Sequence, residues 1–87
     1  MKTAKYFTAS WCPQCKMLKP VILELVSEGH QIEIFDVDDH VDLASDHGIM
    51  SVPTVLIYEP PGYGMENLID AIYGVVSKDE LLHRLKA

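Results

Sequence analysis

The stretch SWCPQC, residues 10–15, contains both cysteines of the chain. Cys12 and Cys15 are three residues apart, so on a helix they would share one face, with Cα atoms near the ~5.5 Å that a disulfide favours. Pro13 suits the first position of a helix, and the following CKMLKPVILELVSEG (15–29) has apolar residues at helical spacing. We therefore expect a helix that begins at the cysteines and lets the pair open and close a disulfide.

The two thiols are expected to differ in chemistry. Backbone N–H groups at a helix start have no partner within the helix and carry partial positive charge, which stabilises a thiolate at Cys12. Cys15, one turn further along, should be shielded and remain a thiol. A redox centre, a zinc site completed by histidines and a fixed disulfide are all open. The histidines lack finger-like spacing, and a single cysteine pair seldom serves as a permanent disulfide in a reducing compartment, so a redox centre without metal is favoured.

Composition and charge narrow the possible function. With 87 residues and 48% hydrophobic content, residues 1–87 are expected to form one small domain. No apolar run approaches the ~18 residues of a membrane helix, and the start lacks the apolar segment of a signal peptide, so we expect a cytoplasmic protein without membrane contact. The formal charge of -6 argues against nucleic acid binding. All 13 acidic residues follow residue 23, so the cysteines lie in a locally positive segment.

Hydrophobic periodicity predicts the element order β-α-β-α-β-β-α. Strands are expected at 2–7, 31–37, 54–59 and 67–74, and a short helix at 41–48. The first helix should end at Gly29 and the last should open with Ser77 and Glu80, which are spaced as a capping box. PPGYG (60–64) is predicted to be a turn. A helix between the first two strands implies a parallel pair, so the prediction is an α/β fold with a four-stranded mixed sheet flanked by helices.

Three stretches together resemble the thioredoxin superfamily. SWCPQCKMLKP (10–20) matches its pattern of Trp, Cys-x-x-Cys, Lys, Met and a later proline. GIMSVPT (48–54) is similar to the loop that holds its cis-proline, here Pro53, and YGVVSKDELLHRL (73–85) is similar to its last strand and helix, with Gly74 beside the substrate groove. The resemblance covers nearly the whole chain. It implies a minimal thioredoxin fold and a thiol-disulfide oxidoreductase that reduces protein disulfides.

The resemblance also implies roles for single residues. Cys12 would attack a substrate disulfide as a thiolate, and Cys15 would resolve the mixed disulfide. The apolar platform for the substrate would consist of Trp11, Val52, Pro53 and Gly74. No cofactor would be bound beyond the redox-active Cys12–Cys15 pair. Electrons would come from a partner similar to thioredoxin reductase, and indirectly from NADPH, and we expect the protein to be a monomer.

Two departures from thioredoxins suggest an alternative. The sequence begins at the strand before the cysteines, an outline that fits glutaredoxins and the smallest thioredoxins, and Pro13 resembles the glutaredoxin motif Cys-Pro-Tyr-Cys. However, glutaredoxins follow the fourth strand with Gly-Gly and a polar or acidic residue that binds glutathione, where this chain has YGVVSKD (73–79). A glutathione-dependent glutaredoxin stays the alternative, and a non-enzymatic binding module is a weaker one.

A third departure concerns the proton of the second cysteine. Thioredoxins carry a buried aspartate six residues before the first cysteine, where this chain has Tyr6, and a buried lysine on the next strand, where it has Ile34. An ordinary phenol, with a pKa of ~10, is not a base near neutral pH. We therefore expect a neutral core at Tyr6 and Ile34, with the proton leaving through water toward Asp36.

Overall fold

The computed structural model describes residues 2–60 and 67–86. Along the chain these residues form β1 (Thr3–Thr8), α1 (Pro13–Ser27), β2 (Ile32–Asp36), α2 (Val41–Asp46), β3 (Thr54–Tyr58), β4 (Leu68–Tyr73) and α3 (Lys78–Lys86). The predicted element order is confirmed, with bounds that differ by one or two residues. Most of the predicted PPGYG turn lies outside the described residues. No helix in the described part of the chain is long and apolar enough to cross a membrane.

The four strands form one mixed sheet in the order β2-β1-β3-β4. β1 runs parallel to β2, with Thr8 opposite Asp36. β3 runs antiparallel to both β1 and β4, so that Thr54 lies between Phe7 and Tyr73. The predicted parallel pair and antiparallel hairpin are therefore confirmed. This arrangement places the C-terminal ends of β1, β2 and β4 beside the N-terminal end of β3, all at the same end of the sheet.

The caps of the helices follow from local sequence. Cys12 is the N-cap of α1 and Pro13 is its first residue, where the missing N–H of proline costs nothing. Gly29 follows the helix at a φ of +97°, a conformation that only glycine adopts readily. At the start of α3, the backbone N–H of Glu80 donates to Ser77 Oγ at 3.1 Å, so the predicted Ser77 cap is confirmed.

Each face of the sheet has its own hydrophobic core, because side chains alternate along the strands. One face packs against α1 and α3, through Ala4, Tyr6, Leu18, Ile22, Leu25, Ile32, Val55, Ile57, Ile72, Leu81 and Leu85. The opposite face packs against α2, through Phe7, Ala44, Leu56 and Tyr58. The sheet thus lies between two layers, with β1 and β3 at its centre.

The expected burial of Ile34 is wrong. Ile34 lies opposite Tyr6 in the sheet, as its place in the sequence suggested, yet 39% of its surface is exposed whereas Tyr6 is fully buried. β2 is an edge strand, and on the face toward α1 and α3 its Ile32 joins the core whereas Ile34 does not. The buried neutral group at this place is Tyr6 alone.

Candidate redox site

Cys12 lies at the junction of β1 and α1, where its sulfur meets the start of the helix. The backbone N–H of Cys15 donates to Cys12 Sγ at 3.2 Å. On its other side, Cys12 Sγ–H donates to the carbonyl oxygen of Val52 at 3.7 Å. A thiolate here would accept a hydrogen bond from the helix terminus, as the sequence suggested. Both cysteines are free thiols.

Cys15 is one turn further along α1 and only 1% of its surface is exposed. Burial raises the pKa of the Cys15 thiol, and the neighbouring Cys12 sulfur raises it further. The Thr8 hydroxyl and the Ala9 backbone N–H oppose this rise, because they can donate hydrogen bonds to a thiolate. Cys15 is therefore protonated near neutral pH, in line with the expectation that it stays a thiol.

The four residues predicted to form the substrate platform lie at the end of the sheet where Cys12 is found, with Val52 in direct contact with the Cys12 sulfur. Trp11 is 64% exposed, and its indole N–H donates to Asp38 Oδ2 at 2.9 Å. Trp11 and Val52 line one apolar cavity of about 220 Å³. The Val52–Pro53 peptide bond is cis, as predicted. The N–H of Gly74 donates to the Pro53 carbonyl at 2.9 Å, which holds the end of β4 against this loop.

Gly74 is needed for its backbone conformation. Its φ is +85°, a conformation in which an L side chain is strained, while a Cβ added there would meet no atom within 4 Å. A side chain at position 74 would therefore distort the turn that keeps the Pro53 loop in place, although the space for it exists.

A second cavity, of about 260 Å³, lies on the other side of the cysteines. Its lining contains Thr8, Ala9, Ser10, Cys15, Lys16, Lys19 and Asp36. Asp36, predicted as the proton relay, thus shares this groove with Cys15. Its Oδ1 accepts a hydrogen bond from the backbone N–H of Asp38 at 2.8 Å, which orients the carboxylate.

Tyr6 and Thr8 complete the surroundings of Cys15. The Tyr6 hydroxyl lies 3.2 Å from Thr8 Oγ1 and 3.2 Å from the carbonyl oxygen of Cys15. Burial raises the pKa of the Tyr6 phenol above its ordinary value, so this group is neutral near pH 7 and cannot act as a base. Thr8 was missed in the sequence; its spacing of two from Tyr6, which places both on one strand face, is the signal that could have found it.

Across the described residues, no cluster of three or more His, Cys, Asp or Glu side chains could hold a metal ion. The zinc alternative therefore has no further ligands within this part of the chain.

Comparison with known proteins gives a thioredoxin family model that matches residues 4–87. The chain belongs to the thioredoxin family. It is 36% identical to a thioredoxin of Chlamydia caviae over 78 residues, which cover 87% of this chain and 72% of the relative. It is 35% identical to a thioredoxin H-type of Fagopyrum esculentum over 81 residues, 91% of this chain and 65% of the relative. A mitochondrial thioredoxin of Mus musculus is 34% identical over 83 residues, but they are only 47% of its length.

Solved thioredoxin structures share the fold. A mutant thioredoxin from Halobacterium salinarum superposes with a TM-score of 0.82 at 27% identity, over 98% of this chain and 72% of that one. Mitochondrial thioredoxin 3 of Saccharomyces cerevisiae, in its oxidised form, gives 0.79 at 28% identity, over 98% and 76%. The thioredoxin fold and the family's thiol-disulfide oxidoreductase class are thereby confirmed, whereas the glutaredoxin alternative gains no support.

Proposed function

We propose that this chain reduces disulfide bonds in other proteins, with Cys12 as the attacking thiolate. The observation that carries the proposal is the contact of 3.2 Å between the Cys15 N–H and Cys12 Sγ at the start of α1. A helix N-terminus favours negative charge at that sulfur, and the thiolate is the nucleophile in thiol-disulfide exchange. In the first step, Cys12 forms a bond to one substrate sulfur, and the other leaves as a thiolate with the electron pair.

Cys15 then resolves the mixed disulfide. Its S–H bond breaks, its sulfur bonds to Cys12 Sγ, and the bond between Cys12 and the substrate breaks. The substrate leaves reduced, and the Cys12–Cys15 disulfide holds the oxidising equivalent. A reductase similar to thioredoxin reductase would return the pair to its dithiol form with electrons from NADPH, without a cofactor bound to this chain.

The substrate would lie across Trp11, Val52, Pro53 and Gly74. The exposed indole and the cavity it shares with Val52 give an apolar surface beside Cys12. An extended substrate segment would pair with the Val52 backbone, as peptides do at an exposed strand edge. Asp36 would accept the Cys15 proton through the groove that both residues line.

The setting of this activity is also a proposal. We infer that residues 1–87 act as one domain, as a monomer, in the cytoplasm. The formal charge of -6 supports a function without nucleic acid.

The assignment is tested by reduction of insulin, driven in parallel by thioredoxin reductase with NADPH and by glutathione with its reductase. We expect turnover in the first arm. Activity in the glutathione arm alone would instead indicate a glutaredoxin.

The roles of the two cysteines are tested by the matched variants Cys12→Ser and Cys15→Ser. Cys12→Ser should abolish turnover, because no attacking sulfur remains. Cys15→Ser should trap the substrate on Cys12 as a mixed disulfide that reductant releases. Trapping by Cys12→Ser in place of Cys15→Ser would reverse the assignment.

A further inference from the structure

Thr8 occupies a position at which its hydroxyl can meet the resolving sulfur. It is the last residue of β1, it is buried, and it lines the same groove as Cys15 and Asp36. Tyr6 and Thr8 are two residues apart and share one face of the strand, and the Tyr6 hydroxyl lies 3.2 Å from Thr8 Oγ1. Three polar groups from β1 and β2 thus border Cys15.

The donors and acceptors around Thr8 leave one hydrogen for the sulfur. A tyrosine hydroxyl has a single hydrogen to donate, and a threonine hydroxyl has one hydrogen and two lone pairs. The Tyr6 hydrogen has two acceptors at 3.2 Å, Thr8 Oγ1 and the Cys15 carbonyl oxygen. When Tyr6 donates to Thr8 Oγ1, the Thr8 O–H is turned away from Tyr6. A Cys15 thiolate can only accept hydrogen bonds, and because only 1% of its surface is exposed it depends on donors from the protein. Two are in reach, the Thr8 hydroxyl and the Ala9 backbone N–H.

We propose that Thr8 is a catalytic residue for resolution of the mixed disulfide, donating a hydrogen bond to Cys15 Sγ as that sulfur loses its proton, and that Tyr6 positions the Thr8 hydroxyl. The proposal rests on the proposed function. The proton leaves Cys15 through the groove toward Asp36, the Cys15–Cys12 bond forms, and the substrate sulfur takes the electron pair of the bond that breaks. Thr8 and Tyr6 keep their protons throughout.

Other charged and titratable groups also surround this sulfur. They are the N-cap residue Cys12, Lys16 and Lys19 of α1, Asp36 of β2 and the Tyr6 phenol of β1. The two ammonium groups favour the thiolate through space, but both lysines are exposed and screened by water. The Thr8 hydroxyl is buried and uncharged, so its contribution is independent of ionic strength. Varying the salt concentration therefore distinguishes the effect of the Thr8 hydroxyl from that of the two lysines.

The test follows single turnover of the reduced protein with excess dithionitrobenzoate, which releases a coloured thiolate in two phases. The first phase, whose rate depends on reagent concentration, reports attack by Cys12. The second, whose rate does not, reports resolution by Cys15. Absence of the first phase would refute the role of Cys12, whereas a defect confined to the second phase concerns Thr8. The two proposals can therefore fail separately.

Thr8→Val removes the hydroxyl and retains the β-branched shape. We expect its second phase to be slowed about tenfold or more near pH 7, the order of a hydrogen bond to a charged group, and the pH midpoint of that phase to rise by about one unit. Thr8→Ser should restore both values, and Tyr6→Phe should cause a smaller slowing. Raising the salt concentration should leave the ratio between Thr8→Val and the parent unchanged.

Thr3→Val is the matched control, because Thr3 is buried at the opposite end of β1. Its second phase should equal that of the parent. If Thr8→Val fails to fold, Thr8→Ala with Thr8→Ser gives the same comparison. A second phase and a pH midpoint in Thr8→Val that match those of the parent would overturn the proposal, and so would an equal slowing of the first phase.

Discussion

Replacing Tyr6 with aspartate would place an ionisable group where this chain has a neutral one. The Tyr6 side chain is fully buried in the core shared by β1, α1 and α3. Truncating a buried aromatic costs about 3–5 kcal/mol. An aspartate at this depth would also have its pKa raised, by roughly three units or more, because burial penalises the charged form.

The cost of burying the aspartate charge increases as pH rises. A carboxyl whose folded-state pKa lies above its unfolded value of ~3.9 stabilises the fold fully below that value and loses this contribution as pH rises to the folded pKa. With a folded pKa of about 7, the loss between pH 5 and pH 8 is roughly 3 kcal/mol, at 1.36 kcal/mol for each unit. A domain of this length has a total free energy of unfolding of only about 4–13 kcal/mol. The Tyr6→Asp variant should therefore be folded at pH 5 and close to unfolding at pH 8.

Urea unfolding of the reduced protein at these two pH values measures the effect, and Tyr6→Asn is the matched control. Asparagine leaves the same space as aspartate but does not ionise, so its free energy of unfolding should be nearly equal at both pH values. The parent should also be insensitive between about pH 6 and 8, since burial holds the Tyr6 phenol neutral there. Equal pH dependence of Tyr6→Asp and Tyr6→Asn would refute the reasoning.

Three further outcomes are expected. Leu25→Ala, in the core, should lower Tm by about 10–25 °C through a loss of ~3 kcal/mol in the free energy of unfolding. Leu23→Ala, at a position 48% exposed on the same helix, should lower Tm by only a few degrees. Equal decreases of Tm in calorimetry would contradict the assigned faces of α1. Burial raises the pKa of the Cys15 thiol and of the Tyr6 and Tyr58 phenols. The free energy of unfolding of the reduced protein should therefore fall as pH rises above about 8.5, where the unfolded thiol ionises, and fall further above about pH 10. Urea melts at about pH 8 and pH 11 check this, and equal values would exclude it. The reduction potential should lie above the ~-270 mV of thioredoxin, toward the glutaredoxin range of about -230 to -200 mV, because Pro13 is the glutaredoxin-like residue. Equilibration with glutathione measures the potential, and a value at or below about -270 mV would disprove the inference.

The main features of the fold could be predicted because each has a local cause in the sequence. Alternating and helical spacing of apolar residues indicated the strands and helices in order, and a proline directly after Cys12 marked the start of α1. The cis bond at Pro53 followed from the family motif around it. Apart from the cis bond, which depended on the family resemblance, these signals act over a few residues, so no knowledge of packing was needed.

The errors concern residues whose state depends on distant parts of the chain. Ile34 has the spacing of a core residue, but periodicity shows only the face of a strand and cannot show whether a helix covers that face at the edge of the sheet. Thr8 was overlooked because a threonine near the end of a strand is common, and its meaning depends on the Tyr6 hydroxyl and the Cys15 groove. The exposure of Ile34 and the contacts of Thr8 are both determined by tertiary structure.

The exposed indole of Trp11 gives this protein an optical reporter. Trp11 is the only tryptophan in the sequence and precedes Cys12, so all indole fluorescence comes from one ring beside the reacting sulfur. The hydrogen bond from the indole N–H to Asp38 restrains the ring, while most of the Trp11 surface is exposed to water. A substrate that covers this ring should move its emission toward shorter wavelengths, and closure of the adjacent disulfide should change its intensity. Docking and oxidation can therefore be followed as separate signals in one unlabelled sample.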